Sequence, residues 1–304
     1  VWEVIESEGY RPNLTARGLA SGRSNLVAAV IPVGLEQVTA DPYYTILLTG
    51  IASAADAHDR FVVFSLAEPG FRHQVDELAR QGVVDGVIFS AARDEDPLAE
   101  ALLESGKPFV SVGRSDDGRV SYVDVDNRGS ARQITAHLLR LGRRRVATIA
   151  GPSYATAAID RLDGYRDALE AHGVPIREQL IFEGDFTEAS GRLGAKRLLE
   201  HGPDAVFAAS DRMAAGALTE ILGSGLRIPE DIALVGFDDI PQAAEMDPPL
   251  TTVRQSVRQL GKAALEILLD LINNPPGPPR RVTLPTELIV RASCGSNLAT
   301  ERKE

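Results

Sequence analysis

From residue 26 onward, short apolar runs alternate with longer segments in which apolar residues recur at helical spacing. Leu26 to Ile31, Phe61 to Leu66, Val83 to Phe89 and Phe109 to Val112 are β-branched or apolar without a regular polar alternate, which predicts parallel strands buried on both faces. Between them, residues 43–58, 72–81 and 97–105 carry the helical period. The second half repeats the pattern, with strands expected at Val146 to Ala150, Leu180 to Glu183, Ala205 to Ala208 and Ile232 to Phe237. Helices are expected to run from about Arg161, Glu188, Arg212 and Ser256. Gly106, Gly142, Gly173, Gly202 and Gly225 stand where these helices should stop in a left-handed cap. Strand-helix alternation throughout means an α/β protein with parallel sheets. Two successive series of about 120 residues each predict two doubly wound lobes rather than one very wide sheet. Ligands of such sheets bind beyond the carboxyl ends of the strands, so the loops there hold the candidate site. Residues 273–279 form a Pro/Gly-rich surface connection, and 297–304 read as a tail.

Composition fits this picture: 304 residues, 44% hydrophobic and 25% charged, supply one large or two medium cores. No apolar stretch reaches the roughly 20 residues a bilayer requires, and the first residues lack the basic-then-apolar order of a signal peptide, so a cytoplasmic location is expected. The lone Cys294 forms no intramolecular disulfide and reads as an inert thiol; no Cys/His cluster points to zinc, and neither a metal nor a cofactor is expected. The net charge of −11 argues against nucleic-acid binding over the whole surface. Yet residues 10–25 contain Arg11, Arg17 and Arg23 and no carboxylate, a basic arm on an acidic body.

The run Val4-Ile5-Glu6-Ser7-Glu8-Gly9-Tyr10-Arg11-Pro12-Asn13, followed by Ala16-Arg17-Gly18-Leu19, resembles the end of a helix-turn-helix headpiece and the hinge helix of the lactose-repressor (LacI/GalR) family. The resemblance continues through Ile31-Pro32, Asp41-Pro42-Tyr43-Tyr44, Val84-Asp85-Gly86-Val87-Ile88, Val125-Asp126-Asn127, Gly184-Asp185-Phe186, Ser210-Asp211-Arg212-Met213-Ala214, Val235-Gly236-Phe237-Asp238-Asp239 and Pro249-Leu250-Thr251-Thr252-Val253. It implies a body like that of periplasmic sugar-binding proteins, crossing between lobes near Asn127, Arg254 and Pro285. Residues 1–25 would then be a remnant of headpiece and hinge, 26–126 plus 255–284 the N-terminal lobe, and 127–254 plus 285–304 the C-terminal lobe. Headpieces of this family hold two helices that would precede Val1. The implied molecule is a homodimer that reads two half-sites of operator DNA, represses transcription, and answers to a small effector, a carbohydrate.

In such a hinge, a leucine enters the minor groove and prises open a base step. Leu19 matches that position, and Arg17 and Arg23 are placed for backbone phosphates. Gly18 departs from a good helix former at a cost of about 1 kcal/mol relative to alanine, which suits a hinge that orders on DNA. The alternative is a tag-like arm with an incidental leucine.

In the cleft, the resemblance places Asp238 against ligand hydroxyls, since a carboxylate accepts two hydrogen bonds from a vicinal diol. Arg161 supplies a planar fork of donors from what reads as a loop of the opposite lobe. The plainer alternative is that the two pair with each other or cap helices. Tyr43, Tyr44 and Phe186 match positions that wall a sugar's C–H face, with core packing as the alternative. Asp211 is equally a helix cap or a ligand contact. Arg114 is a candidate second donor, and Asn127 is expected to organise a crossover. Where purine-sensing relatives present an arginine, this chain has Ala155-Thr156-Ala157, which favours a sugar. No Gly-rich phosphate cradle is visible, which points away from a phosphosugar. His58, His73, His137, His172 and His201 are scattered along predicted helices without carboxylates at motif spacing and read as solvent-exposed, so no enzyme is expected. A periplasmic transport receptor with the same body is the alternative function.

Overall fold

The computed structural model describes residues 24–31, 33–66, 81–90, 97–274 and 277–296. Arg17, Leu19, Arg23 and His73 lie outside these residues, as does the helix expected over 72–81 apart from its last residue.

Strands β1 (Leu26–Ile31), β2 (Phe61–Leu66), β3 (Gly86–Ser90), β4 (Phe109–Val112), β5 (Tyr122–Val125) and β11 (Arg281–Leu284) form one parallel sheet in the order β11-β5-β4-β3-β1-β2. A second parallel sheet has the order β7-β6-β8-β9, from β6 (Val146–Ala150), β7 (Ile181–Glu183), β8 (Ala205–Ala208) and β9 (Ala233–Val235). A short antiparallel pair, β10 (Thr252–Gln255) with β12 (Thr286–Ile289), completes the strands. Each sheet with its helices is a doubly wound lobe, the periplasmic-binding-protein-like architecture the alternating pattern predicts.

Helices cover both faces of each sheet along its inner strands, but the edge strand β2, expected to be buried on both faces, leaves Phe61, Val63 and Phe64 exposed because only one of its sides has a neighbouring strand. On the first, α2 (Pro42–Ala57) and α9 (Val257–Asn273) cover Ala29 and Ile31 with Leu47, Ile51, Leu265 and Leu268. On its other face, α3 (Pro97–Ser105) covers Val30 and Phe89 with Leu98 and Leu102. On the second, α4 (Asn127–Arg140) and α5 (Thr156–Ala171) pack on Phe207 and Val235 through Ile134, Leu138 and Tyr165. The opposite face receives α6 (Glu188–Leu199) and α7 (Asp211–Gly223), where Leu198, Met213 and Ile221 meet Val206 and Leu234. Along β8 and β9 successive residues thus enter opposite cores, which is why these strands carry no polar alternate. Two short helices, α1 (Leu35–Ala40) and α8 (Pro241–Glu245), flank the cleft and the β9 end.

The chain passes from the first sheet to the second between β5 and α4, returns between β10 and α9, and leaves again between β11 and β12. The five glycines expected to cap helices all have positive φ, from 59° at Gly202 to 93° at Gly142.

Several bounds differ from the expectation. β3 starts at Gly86 because Asp85 turns its carboxylate to the N–H groups of Ser24 and Asn25 and to Arg60. β9 ends at Val235, after which the chain bends through positive φ at Asp238 and Asp239. Leu180 closes a 3-10 turn ahead of β7, and α5 begins five residues before Arg161, so that Arg161 is helical.

Candidate functional site

The loops beyond the carboxyl ends of β1, β3, β6, β7, β8 and β9 face one another across the lobes and enclose a cavity of about 290 Å³. The first lobe contributes Asp41, Tyr43 and Tyr44 at the N-terminus of α2; the second contributes Arg161, Phe186, Arg212 and Asp238. Gln255, at the end of β10, reaches it from the return passage.

Asp238 is held by its neighbours from two sides. Its Oδ1 accepts from Gln255 Nε2 at 2.5 Å and faces Arg161 Nη1 at 3.4 Å. Arg161 projects from α5, donates through Nε to Asn127 Oδ1 (2.9 Å) and through Nη1 to the Ala209 carbonyl (2.6 Å), and lies over the Phe237 ring at 3.6 Å. Asn127 in turn donates to Asp124 Oδ1 at 3.1 Å, so the guanidinium is locked to the first interlobe passage. Burial pushes the Asp238 carboxyl up to about 6, against the pull of Arg161 in the other direction.

The backbone carries strain here. Asp238 has φ 120° and Phe186 φ 66°, conformations that L side chains rarely adopt and that cluster at functional sites. The Phe186 ring fills space that a Cβ on Gly151 would occupy. Tyr43 and Tyr44 stand edge to face with centroids 5.4 Å apart, and burial raises both phenols far above their ordinary range. The cavity thus has a polar end and aromatic walls, a combination that suits a ligand with hydroxyl edges and C–H faces.

A second polar pair spans the cleft. Asp41 Oδ1 caps α2 by accepting from Tyr43 N (3.0 Å), and Oδ2 meets Arg212 Nη1 of the other lobe at 3.4 Å. Burial raises the Asp41 carboxyl, while the Tyr43 N–H and Arg212 act to lower it. Asp185 also lines the cavity, its carboxylate accepting from the N–H and hydroxyl of Thr187. Sequence reasoning quoted Asp41, Asp185 and Arg212 within motifs but assigned them no role, and no signal marked Gln255.

Tyr43, Tyr44, Arg161, Phe186 and Asp238 therefore line one cavity; Asp211 and Arg114 do not. Asp211 is wholly buried, accepting from Ile240 N (3.0 Å) and Thr252 Oγ1 (2.6 Å), with no face toward the cavity. Burial, and after it the neighbouring Asp238, raise its carboxyl well above the ordinary value. The cap of α7 is Ser210, whose Oγ accepts from Met213 N. Arg114 is engaged by Asp160 through two 3.1 Å contacts and by Asp116. Arg161 and Asp238 also belong to the same lobe, not to opposite ones, and both are buried. A substitution of Arg161 consequently disturbs the fold as well as any ligand.

His58, His172 and His201 are exposed, whereas His137 is half-buried with Nε2 3.4 Å from the Sγ of buried Cys294. Burial would raise that thiol, but hydrogen bonds led by His137 outweigh it and bring it down to about 7, while the sulfur has no exposed surface. No group of three or more His, Cys, Asp or Glu among the described residues is arranged to hold a metal ion. No helix among them is long and apolar enough to cross a membrane.

The description of a periplasmic binding protein-like domain matches residues 135–294. The HTH-type transcriptional regulator CelR of Thermobifida fusca is 40% identical over 300 residues, covering 96% of this chain and 88% of the relative. A solved CelR–cellobiose complex superposes with a TM-score of 0.86 at 37% identity, covering 96% of this chain and 88% of the other. A LacI family transcriptional regulator from Enterococcus faecium with bound ribose gives 0.77 at 26% identity, covering 88% of this chain and 98% of the other.

Proposed function

This chain belongs to the LacI family of transcriptional regulators, and from that premise we propose that it is a repressor whose interlobe cavity binds a sugar. The effector-responsive regulator is the function the relatives support, not the transport receptor that shares the body. Sugar as the effector rests on one observation above the rest: hydroxyl-binding groups (Arg161, Asp238, Gln255) and aromatic walls (Tyr43, Tyr44, Phe186) converge on a single cavity. The relatives solved with cellobiose and ribose support the same class.

In this reading the site binds and does no chemistry. Residues 26–126 with 255–284 form one lobe and 127–254 with 285–304 the other, while 1–25 serve DNA contact, Leu19 at the minor groove and Arg17 and Arg23 at phosphates. The active unit is a cytoplasmic homodimer, as two-fold recognition of half-sites requires.

The test is a thermal-shift screen of neutral mono- and disaccharides, starting with cellobiose, followed by calorimetry of the best hit. We expect saturable binding with micromolar or tighter affinity, abolished or weakened at least tenfold in Asp238→Asn, each tenfold being 1.4 kcal/mol. Binding unchanged in that variant moves the site elsewhere, and no binding by any saccharide removes the sugar reading.

A further inference from the structure

Among the described residues that line the cavity, the cations are Arg161 and Arg212, and each already faces an aspartate: Asp238 at 3.4 Å and Asp41 at 3.4 Å. Asp185 adds a third carboxylate, whose hydrogen bonds come from the N–H and hydroxyl of Thr187, while its own backbone N–H donates to Ser190 Oγ. Among the described residues, three carboxylates thus face two guanidiniums around this cavity.

We infer that Asp41 is a specificity-determining residue: by engaging Arg212 across the cleft it leaves no unengaged cation among the described residues of the pocket and makes it select neutral saccharides over phosphorylated ones. The inference rests on the sugar reading above and narrows it. A phosphate carries up to two negative charges, and burying it without an unengaged donor cation costs far more than burying hydroxyls. The Asp41–Arg212 pair is largely shielded on both sides, with side-chain exposures of 12% and 18%, so solvent screens it only in part. Helix N-termini give an anion little compensation. Asp41 caps α2, Thr187 caps α6 and Ser210 caps α7. Of the helices that start at the cavity, α5, beside Ala155, and the six-residue α1, beside Gly34, lack a side-chain cap, and their dipoles favour an anion only weakly beside so many carboxylates.

The decisive variant is Asp41→Asn. Asparagine still caps α2 by accepting from Tyr43 N, so helix geometry is retained, but Arg212 loses its counter-charge and becomes available to a ligand. Titration calorimetry of the full chain compares glucose with glucose 6-phosphate and cellobiose with cellobiose 6-phosphate. We expect the wild type to prefer each neutral sugar by about tenfold or more, the scale of one charge-assisted hydrogen bond. Asp41→Asn should narrow that preference by a similar factor or reverse it. Arg212→Gln should leave the neutral preference intact or widen it, and melting curves of both variants check that they fold. A wild type that binds a phosphorylated sugar as tightly as its neutral partner overturns the inference, as does a preference that Asp41→Asn leaves unchanged. If no sugar of either kind binds the wild type, the sugar reading itself has failed.

Discussion

Asp238 stands between a donor amide and a guanidinium, in a backbone conformation that costs of order 1–3 kcal/mol. Burial raises its carboxyl from 3.8 to about 6, so in the free protein the charged form is the costly one. Its contribution to stability is therefore present below about pH 4 and lost as pH rises through about 6. A ligand whose hydroxyls donate to the carboxylate favours the ionised form and lowers that pKa. Effector affinity should rise between pH 5 and 7 and level off above. Calorimetry across that range checks it, with Asp238→Asn expected to flatten the profile; a flat wild-type profile would show that the carboxylate does not receive the ligand. The residues that carry this argument were visible in the sequence because they stand in motifs of fixed order: Tyr43 and Tyr44 after Asp41-Pro42, Phe186 after Gly184-Asp185, Asp238 after a buried strand. What the sequence hid was which partners each would meet. Asp41 and Arg212 are 171 positions apart, and only the apposition of two lobes brings them together. Asp211, which follows a strand and starts a helix, read equally as a helix cap or a ligand contact; it is neither, its buried carboxylate accepting from Ile240 N and Thr252 Oγ1.

At the scale of elements, the strands with continuous apolar runs were the ones legible from pattern, since burial on both faces leaves that signature, although the edge strand β2 carries the same run with Phe61, Val63 and Phe64 exposed. β5, β10, β11 and β12 were not: Tyr122–Val125, Thr252–Gln255, Arg281–Leu284 and Thr286–Ile289 mix polar residues with apolar ones, and β11 lies at a sheet edge where alternate side chains meet solvent. Helix interiors posed a different difficulty. Glycine inside a helix normally counts against it by about 1 kcal/mol, but here it is what allows helices to touch. A Cβ on Gly216 would overlap the Glu188 carbonyl of α6, and one on Gly191 would overlap the Met213 carbonyl of α7. Both contacts are with backbone, which cannot rotate away. Gly216→Ala should therefore lower stability, despite alanine's better helix propensity, by about 1–3 kcal/mol, the usual cost of overpacking. Urea unfolding measures this. A variant as stable as the wild type or more so would mean that propensity outweighs the close approach of α6 and α7.

For the whole molecule, among the described residues, three chain passages and two arginine–aspartate pairs join the lobes: Arg114–Asp160 near the first passage and Arg212–Asp41 at the cavity. A ligand seated in the cavity touches both lobes, so it binds most tightly to the arrangement that brings them together, and only this difference in affinity lets it shift the lobe equilibrium. Since Asp41 and Tyr43 are on one side and Arg161, Phe186 and Asp238 on the other, the difference has a structural source. Spin labels at Ser53 on α2 and Glu170 on α5, both exposed, report the separation of the lobes; the native Cys294 is fully buried and should stay unlabelled. Saturation with the sugar that binds best should shorten or narrow the distance distribution. Raising salt in the free protein should broaden it, because the partly exposed Arg114 and Arg212 pairs are weakened by screening while contacts through the ligand are not. In the homodimer proposed above, with one DNA-contacting arm per protomer, a change in lobe angle would become a change in the spacing of the two arms, the quantity that half-site recognition reads. A distribution that stays the same with and without bound sugar would leave the effector without a route from the cavity to the DNA, and the coupling would then have to run through order within one lobe rather than through movement between two.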